Sequence, residues 1–127
     1  MERAYNYPRM TVKATREGLI GFRTASGYVI DTVVPFVALP SEKACQEQRL
    51  IKITNPANGR ACYAIVLDVG PWNTNDDAYV FAGQRPAAES GVSVSGKGTN
   101  FAGIDLGEKV WSQLGMLDNG NVDWEFV

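Results

Sequence analysis

The chain of 127 residues has no histidine, only two cysteines and no excess of basic side chains. Histidine is the commonest general base and a frequent transition-metal ligand, so its absence leaves carboxylates, lysine, tyrosine and cysteine as candidate catalytic groups. Twelve basic and fourteen acidic residues give a net charge of -2, without a basic stripe that would neutralise phosphates. We therefore expect no nucleic-acid partner, no metal and no cofactor.

Long apolar runs are absent too, since no segment approaches the roughly 18 residues of a membrane-spanning helix. The first eight residues lack the apolar core of a secretion signal, which is compatible with a cytoplasmic protein, with export by another route and with removal of a signal. Cys45 and Cys62 are equally compatible with one disulfide and with two separate thiols. No feature of the sequence indicates the oligomeric state.

No repeat or linker divides the sequence, so we expect a single domain over residues 1–127, with residues 1–19 as an N-terminal extension or first strand. Short runs rich in β-branched residues predict a mainly β fold. These runs are residues 10–14, 28–34, 50–54, 61–67 and 122–127. The Asn-Pro-Ala-Asn-Gly segment at 55–59 predicts a hairpin whose register places Cys62 near Ile53.

One short helix is predicted where Leu106, Val110 and Leu114 recur at a spacing of four, with Gly115 as its terminator. In this interpretation Asp105 caps the helix and Glu108 completes a capping box. Residues 70–102 are rich in glycine and polar residues, and a loop this long inside a small domain is usually functional or disordered.

Two aspartates stand out because each follows an apolar stretch and precedes a glycine-containing turn. They are Asp68 in Leu-Asp-Val-Gly-Pro-Trp and Asp105 in Gly-Ile-Asp-Leu-Gly. We expect both at strand ends beside a cleft, and a pair of carboxyl groups so placed is what polysaccharide cleavage requires. The alternatives are structural, with Asp105 capping the helix and Asp68 bracing its turn.

The long segment supplies candidate substrate-binding residues. Trp72 offers a flat face for a sugar ring, and its alternative role is to cover the core. Polar side chains in the same segment can hydrogen-bond a glycan, namely Asn73, Arg85, Lys97 and Asn100. Residues 73–77 resemble a calcium loop only superficially, because the glycine and the distal glutamate of such loops are missing.

Several short motifs occur in an order that resembles a known family. They are Thr-Ala-Ser-Gly at 24–27, Val-Ala-Leu-Pro at 37–40, residues 51–60, Asp-Val-Gly-Pro at 68–71, Ile-Asp-Leu at 104–106 and Leu-Gly at 114–115. From residue 20 onwards the chain resembles the double-psi β-barrel domain of the rare lipoprotein A family of lytic transglycosylases, which are related to expansins and expansin-like endoglucanases. The resemblance implies a six-stranded double-psi β-barrel with one or two short helices, a long loop insertion and a groove for a glycan strand.

The resemblance also implies residue roles, a ligand and a location. Asp68 matches an aspartate that the transglycosylases need for cleavage, and Asp105 matches the proton donor of the endoglucanases. The implied ligand is a polysaccharide such as peptidoglycan, and the implied location is the cell envelope or the extracellular space. Tyr28 and Phe36 occupy positions where the transglycosylases carry glutamate and histidine.

The sequence thus predicts a glycan-cleaving enzyme, by a lytic or hydrolytic route, that uses Asp68 and Asp105. Analogy assigns the proton donor to Asp105, whereas the capping interpretation favours Asp68. The alternatives are a non-catalytic glycan-binding or wall-loosening module and a structural virion or assembly domain.

Overall fold

Six strands close into a barrel in a computed structural model that describes residues 7–127. The strands are β1 (Met10–Arg16), β2 (Phe36–Leu39), β3 (Leu50–Thr54), β4 (Ala61–Val69), β5 (Ile104–Leu106) and β6 (Gly120–Phe126). Around the barrel they follow the order β1-β5-β2-β4-β3-β6. The pairs β1/β5 and β2/β4 are parallel and the other four are antiparallel. The mainly β, six-stranded barrel predicted from the sequence is confirmed.

Three short α-helices connect these strands, whereas the residue spacing predicts one and the family resemblance implies one or two. They are α1 (Glu42–Gln46), α2 (Asp77–Val80) and α3 (Glu108–Gln113), and a 3-10 turn covers Ala87–Ser90. The loop insertion predicted at 70–102 therefore contains α2 and this turn. No helix in residues 7–127 is long and apolar enough to cross a membrane.

The barrel interior is filled by alternate residues of each strand. On β6, Val122, Trp124 and Phe126 are buried, as the alternation predicts. Trp124 Nε1 donates to the Tyr79 hydroxyl at 2.8 Å, and that hydroxyl donates to the Gly103 carbonyl oxygen at 2.9 Å. The polar groups of these two large buried side chains, Trp124 and Tyr79, are therefore hydrogen-bonded, as is usual for buried polar groups.

Four of the five predicted strand runs are strands, and the run at 28–34 is not. This run belongs to the segment 18–35, which we call the outer loop. Ile30 packs against Phe36 and Leu67 on the outside of the barrel. The Asp31 carboxylate accepts hydrogen bonds from the amides of Val33 and Val34, which turns the chain before it can extend. The apolar run is buried as a loop, and the strand that follows it, β2, is one that the sequence did not predict.

The hairpin at 55–59 is confirmed, because Ile53 pairs with Cys62. Both Cys45 and Cys62 are free thiols, so the disulfide alternative is wrong. Burial raises the pKa of the Cys62 thiol to about 11, which disfavours the reactive thiolate.

The predicted capping role of Asp105 is wrong. Helix α3 begins at Glu108 with Gly107 as its N-cap, whereas Asp105 lies within β5. The Glu108 carboxylate accepts two hydrogen bonds from Arg16, each of 2.6 Å, instead of bonding to the backbone at the start of the helix. Strand pairing holds Asp105 away from the helix, and the predicted end of the helix near Gly115, which has φ +63°, is confirmed.

Candidate functional site

A row of four residues crosses four neighbouring strands on the outside of the barrel. Thr15 of β1 pairs with Asp105 of β5, and Asp105 pairs with Ala38 of β2. Ala38 also pairs with Asp68 of β4. The two aspartates thus flank one residue, at two strand spacings or roughly 9.5 Å between Cα atoms.

A β-bulge gives Asp68 its place in this row. The β2/β4 register shifts after Val37, which pairs with Val66, so that Ala38 pairs with Asp68 and not with Leu67. Leu67 packs on the outside of the barrel and Val69 against the interior. The extra residue therefore puts Leu67 and Asp68 on the same side, which is the re-aiming that bulges perform beside functional sites.

Asp68 is held by the backbone of two separate segments. Its Oδ1 accepts hydrogen bonds of 2.9 Å from the amides of Ala25 and Val69. The bond to Val69 is local, as the turn-bracing alternative requires, but the bond to Ala25 joins β4 to the outer loop. These two N–H donors fix the position of the Asp68 carboxyl group.

The carboxyl group of Asp105 is partly buried and therefore less hydrated than one in water. Burial raises the pKa of Asp105 to about 6, while a hydrogen bond from the Thr15 hydroxyl lowers it and the charge of Asp68 raises it. A carboxyl group with this pKa exchanges its proton close to neutral pH, which is the property that acid–base catalysis uses.

Glu17 is a third carboxyl group at this place, and the sequence interpretation missed it. Burial raises the pKa of Glu17 to about 8, and the charge of Asp68, a hydrogen bond with Asp68 and the charge of Asp105 raise it further. Its Oε2 is buried and accepts no hydrogen bond from residues 7–127. The raised pKa means that Glu17 holds a proton at neutral pH, and a neutral carboxyl group can donate a hydrogen bond to Asp68. We call Glu17, Asp68 and Asp105 the acidic trio.

A signal for Glu17 was present in the sequence. It follows the strand-forming run at 10–14 and precedes Gly18, much as Asp68 and Asp105 precede Gly70 and Gly107. The parallel pairing of β1 with β5 brings Glu17 close to Asp105. The Glu17 amide continues this pairing, because it donates to the Leu106 carbonyl oxygen at 2.9 Å.

Two members of the acidic trio line a groove of about 430 Å³, which we call the acid groove. Glu17 and Asp105 lie at its wall together with Trp72 and Asn100, and the other lining residues are Thr15, Arg16, Leu19, Pro71 and Asn119. Trp72 Nε1 donates to Asn100 Oδ1 at 2.8 Å, and the Trp72 side chain is 41% exposed. The structure thus brings three of the sequence-predicted site residues together, namely Asp105, Trp72 and Asn100. Asp68 does not line the groove, but its charge raises the pKa values of both Glu17 and Asp105.

A second groove, of about 480 Å³, is also lined by Trp72, and we call it the amide groove. Asn73 is at its wall and is 5% exposed. The remaining lining residues are Thr74, Asn75, Asp76, Ala87, Val94 and Ser95. Trp72 lines both grooves, so the two grooves are neighbours.

Arg85 and Lys97 line neither groove. Arg85 pairs with Glu89 at 2.6 Å and donates to the Thr11 carbonyl oxygen, contacts that hold the segment against β1. Lys97 is exposed in the turn closed by the bridge between Val92 and Gly98. No group of three or more metal-ligating side chains suited to an ion occurs in residues 7–127.

Comparison with solved structures shows that the barrel has been observed before. The Streptomyces papain inhibitor (SPI) matches with a TM-score of 0.57 and 18% sequence identity, over 94% of each chain. An identity this low shows a shared barrel fold alone, and the resemblance to the rare lipoprotein A family stays a prediction. No curated protein matches the sequence. A family model described as "Domain of unknown function (DUF8814)" matches residues 8–125, and the chain therefore belongs to that family.

Proposed function

We propose that the protein cleaves a β-linked glycan, such as peptidoglycan, in the acid groove. The observation that carries this proposal is the presence of two carboxyl groups with different, raised pKa values, about 8 for Glu17 and about 6 for Asp105, at the wall of one groove. Titratable pairs whose environments separate their pKa values are characteristic of an acid and a base that work together.

The acid in this proposal is Glu17. With a pKa of about 8, Glu17 keeps its proton at pH 7 and can donate it to the oxygen of the leaving sugar. Asp68 is a positioning residue, because its charge and its hydrogen bond help to retain the Glu17 proton.

The base is Asp105, which carries a charge at pH 7 because its pKa is about 6. It would accept a proton from a water molecule in a hydrolytic reaction or from a sugar hydroxyl in a lytic one. The Thr15 hydroxyl orients this carboxylate.

The two departures from the transglycosylase motifs fit this assignment. The Tyr28 hydroxyl donates a hydrogen bond of 2.5 Å to Asp31 Oδ1, and Phe36 is buried against the Tyr28 ring. Neither is placed to act in the acid groove. Glu17, at the end of β1, supplies a carboxyl group from a different part of the chain.

Digestion of purified peptidoglycan, with mass analysis of the products, tests the proposal. Anhydro-sugar ends identify lysis and new reducing ends identify hydrolysis. We expect Glu17→Gln and Asp105→Asn each to lower the rate by about 10² to 10⁴. Glu47→Gln, an exposed change, is the control and should leave the rate unchanged. Full activity in both groove variants contradicts the proposal, and binding without products identifies a non-catalytic glycan-binding module.

A protein-binding module is the second candidate, because the outer loop exposes several apolar side chains. They are Leu19, Ile20, Phe22, Val29 and Val33, each 45% exposed or more. Clustered exposed apolar residues mark protein interaction sites. The name of the Streptomyces neighbour is that of a protease inhibitor, which makes papain a direct probe. Inhibition of papain by the wild type that is lost in Phe22→Ser would favour this candidate, and no inhibition would exclude papain as its target.

A further inference from the structure

The outer loop contains a short hairpin, residues 22–30, which we call the outer hairpin. Arg23 faces Val29 in an antiparallel bridge, and the two backbone hydrogen bonds that flank this bridge are 2.8 and 2.9 Å long. In this pattern the N–H and C=O groups of Arg23 and Val29 point away from the partner strand. The outward-pointing groups of both residues have no hydrogen-bond partner in residues 7–127, so the hairpin has two open edges.

A second hairpin, at residues 91–99, is covered at the equivalent place. Its bridge joins Val92 to Gly98. Ser90 Oγ donates to the Val92 carbonyl oxygen at 3.1 Å and accepts from the Val92 amide at 3.3 Å. Covering an exposed strand edge in this way prevents it from pairing with the strand of another molecule. The Val29 edge of the outer hairpin lacks such a cover and is therefore open to the addition of a strand.

The side chain at the centre of the Val29 edge is suited to pairing with a copy of itself. Val29 is β-branched and 45% exposed. In an antiparallel pair about a two-fold axis through Val29, the two Val29 residues face each other and each amide donates to the other carbonyl oxygen. Apolar β-branched side chains that face each other stabilise such a pair. The Arg23 edge is unsuited to the same arrangement, because two arginines would face each other.

The charges at the two ends of the outer hairpin are complementary under the same two-fold axis. Arg23 Nη1 donates to the Gly27 carbonyl oxygen at 3.1 Å, so the guanidinium lies at the turn. Asp31 follows the other end, and its Oδ1 accepts from Tyr28 and Val33, whereas Oδ2 has no partner in the described part of the chain. The axis reverses the second hairpin, so Arg23 of each copy comes near Asp31 of the other. A net charge of -2 adds little repulsion between copies.

We propose that the outer hairpin is a docking surface for a second copy of this chain, which pairs with it along the Val29 edges. The paired edges form a four-stranded antiparallel ribbon, with the two Val29 residues at its centre and an Arg23–Asp31 pair at each end. Exposed apolar residues of the outer loop, Val33 among them, lie close in the chain to this contact. The inference does not depend on the proposed function, and it assigns the Val29 edge to a second copy and not to a different protein.

Sedimentation equilibrium of the full chain tests the proposal. We expect a reversible dimer with a Kd of about 0.1 mM, as is typical of small interfaces. Val29→Lys places two like charges together at the centre and should raise the Kd at least about tenfold. Val94→Lys, at a valine that is 88% exposed in the second hairpin, carries the same charge change and should leave the Kd unchanged. A monomer at all concentrations up to about 1 mM overturns the proposal, as does an unchanged Kd in Val29→Lys.

Charge reversal tests the predicted orientation of the two hairpins. Arg23→Glu places a carboxylate near Asp31 of the second copy, so the dimer Kd should rise by about three- to tenfold. Lys97→Glu, at an exposed lysine of the second hairpin, is the matched control and should have no effect. An unchanged Kd in Arg23→Glu overturns the two-fold arrangement.

Amide hydrogen exchange identifies the edge that pairs. Exchange of the Val29 amide should slow as the protein concentration rises, whereas exchange of the Arg23 amide should not. A dimer that protects the Arg23 amide, or neither amide, overturns the proposal. Papain, added to the dilute monomer, tests a different occupant: protection of the Val29 amide by papain, in a chain that stays monomeric when concentrated, assigns the edge to another protein and also overturns the proposal.

Discussion

The inside and the outside of the barrel follow different rules. The interior is apolar, with its few polar atoms paired, as in the chain of hydrogen bonds from Trp124 through Tyr79 to Gly103. The outside of the barrel carries three carboxyl groups, and the pKa values of two of them, Glu17 and Asp105, are raised by burial and by the charge of Asp68. An arrangement that raises these pKa values costs stability, because the charged forms are disfavoured.

The interior of the barrel thus stabilises the fold, whereas the carboxyl groups on its outside destabilise it. Burial of aromatic and β-branched side chains inside the barrel stabilises the fold. This stabilisation offsets the cost of holding Glu17 and Asp105 where their charged forms are disfavoured. Changes inside should therefore lower stability, and neutralisation of the outer acids should raise it.

The largest effect is expected from Trp124→Ala. The side chain is buried, contacts the rings of Tyr79 and Phe126, and donates a hydrogen bond to Tyr79. Its removal should lower the free energy of unfolding by about 3 to 5 kcal/mol, measured by urea denaturation. Leu117→Ala, at a side chain that is 99% exposed, is the control and should change it by less than about 0.5 kcal/mol. Similar losses in both variants would contradict the proposed importance of the interior.

A smaller effect is expected at the junction of the two regions, from Gly107→Ala. A Cβ at position 107 would overlap the Phe36 ring, so the buried ring or the backbone around it would have to move. We expect a loss of about 2 to 3 kcal/mol in the free energy of unfolding. Gly98→Ala, where a Cβ meets nothing within 4 Å, is the matched control. Equal stability of the two variants would show that Phe36 yields without cost.

The smallest effect, of opposite sign, is expected from Glu17→Gln. Below pH 4.5 the folded and unfolded states both hold the Glu17 proton. Between pH 4.5 and about 8 the unfolded state releases the proton first, because the folded-state pKa is raised to about 8. Wild-type stability should therefore fall across this range as the pH rises.

The variant lacks this penalty, so its stability relative to the wild type should increase from pH 5 to pH 9. We expect a gain of about 1 to 2 kcal/mol, less than the full pKa shift because the carboxyl group is partly solvated. Denaturation at pH 5, 7 and 9 measures it, with Glu47→Gln as control. A constant difference between wild type and Glu17→Gln at all three pH values would contradict the raised pKa.

Local sequence patterns predicted the interior well. The alternation in β6 and the turn residues at 55–59 depend on neighbours in the chain, and the strands and the register of Ile53 with Cys62 followed from them. Residues 28–34 carried the same β-branched composition but were placed by contacts with Phe36 and Leu67, which no local pattern reveals.

The site was predicted only in part, for a related reason. Asp68 and Asp105 were recognised from strand-to-turn patterns, but the bulge at Leu67 and the parallel pairing of β1 with β5 are what bring them near Glu17. The helix-capping interpretation of Asp105 was wrong because strand pairing, a long-range interaction, outweighed a favourable local motif.

Carboxyl-carbon NMR titration of Glu17 is the most direct measurement of the central claim that the acidic trio retains a proton near neutral pH. The account predicts a midpoint near pH 8 in the wild type and a lower midpoint in Asp68→Asn, since the charge of Asp68 and its hydrogen bond are then lost. A wild-type midpoint close to 4.5, the ordinary pKa of a glutamate, would contradict it.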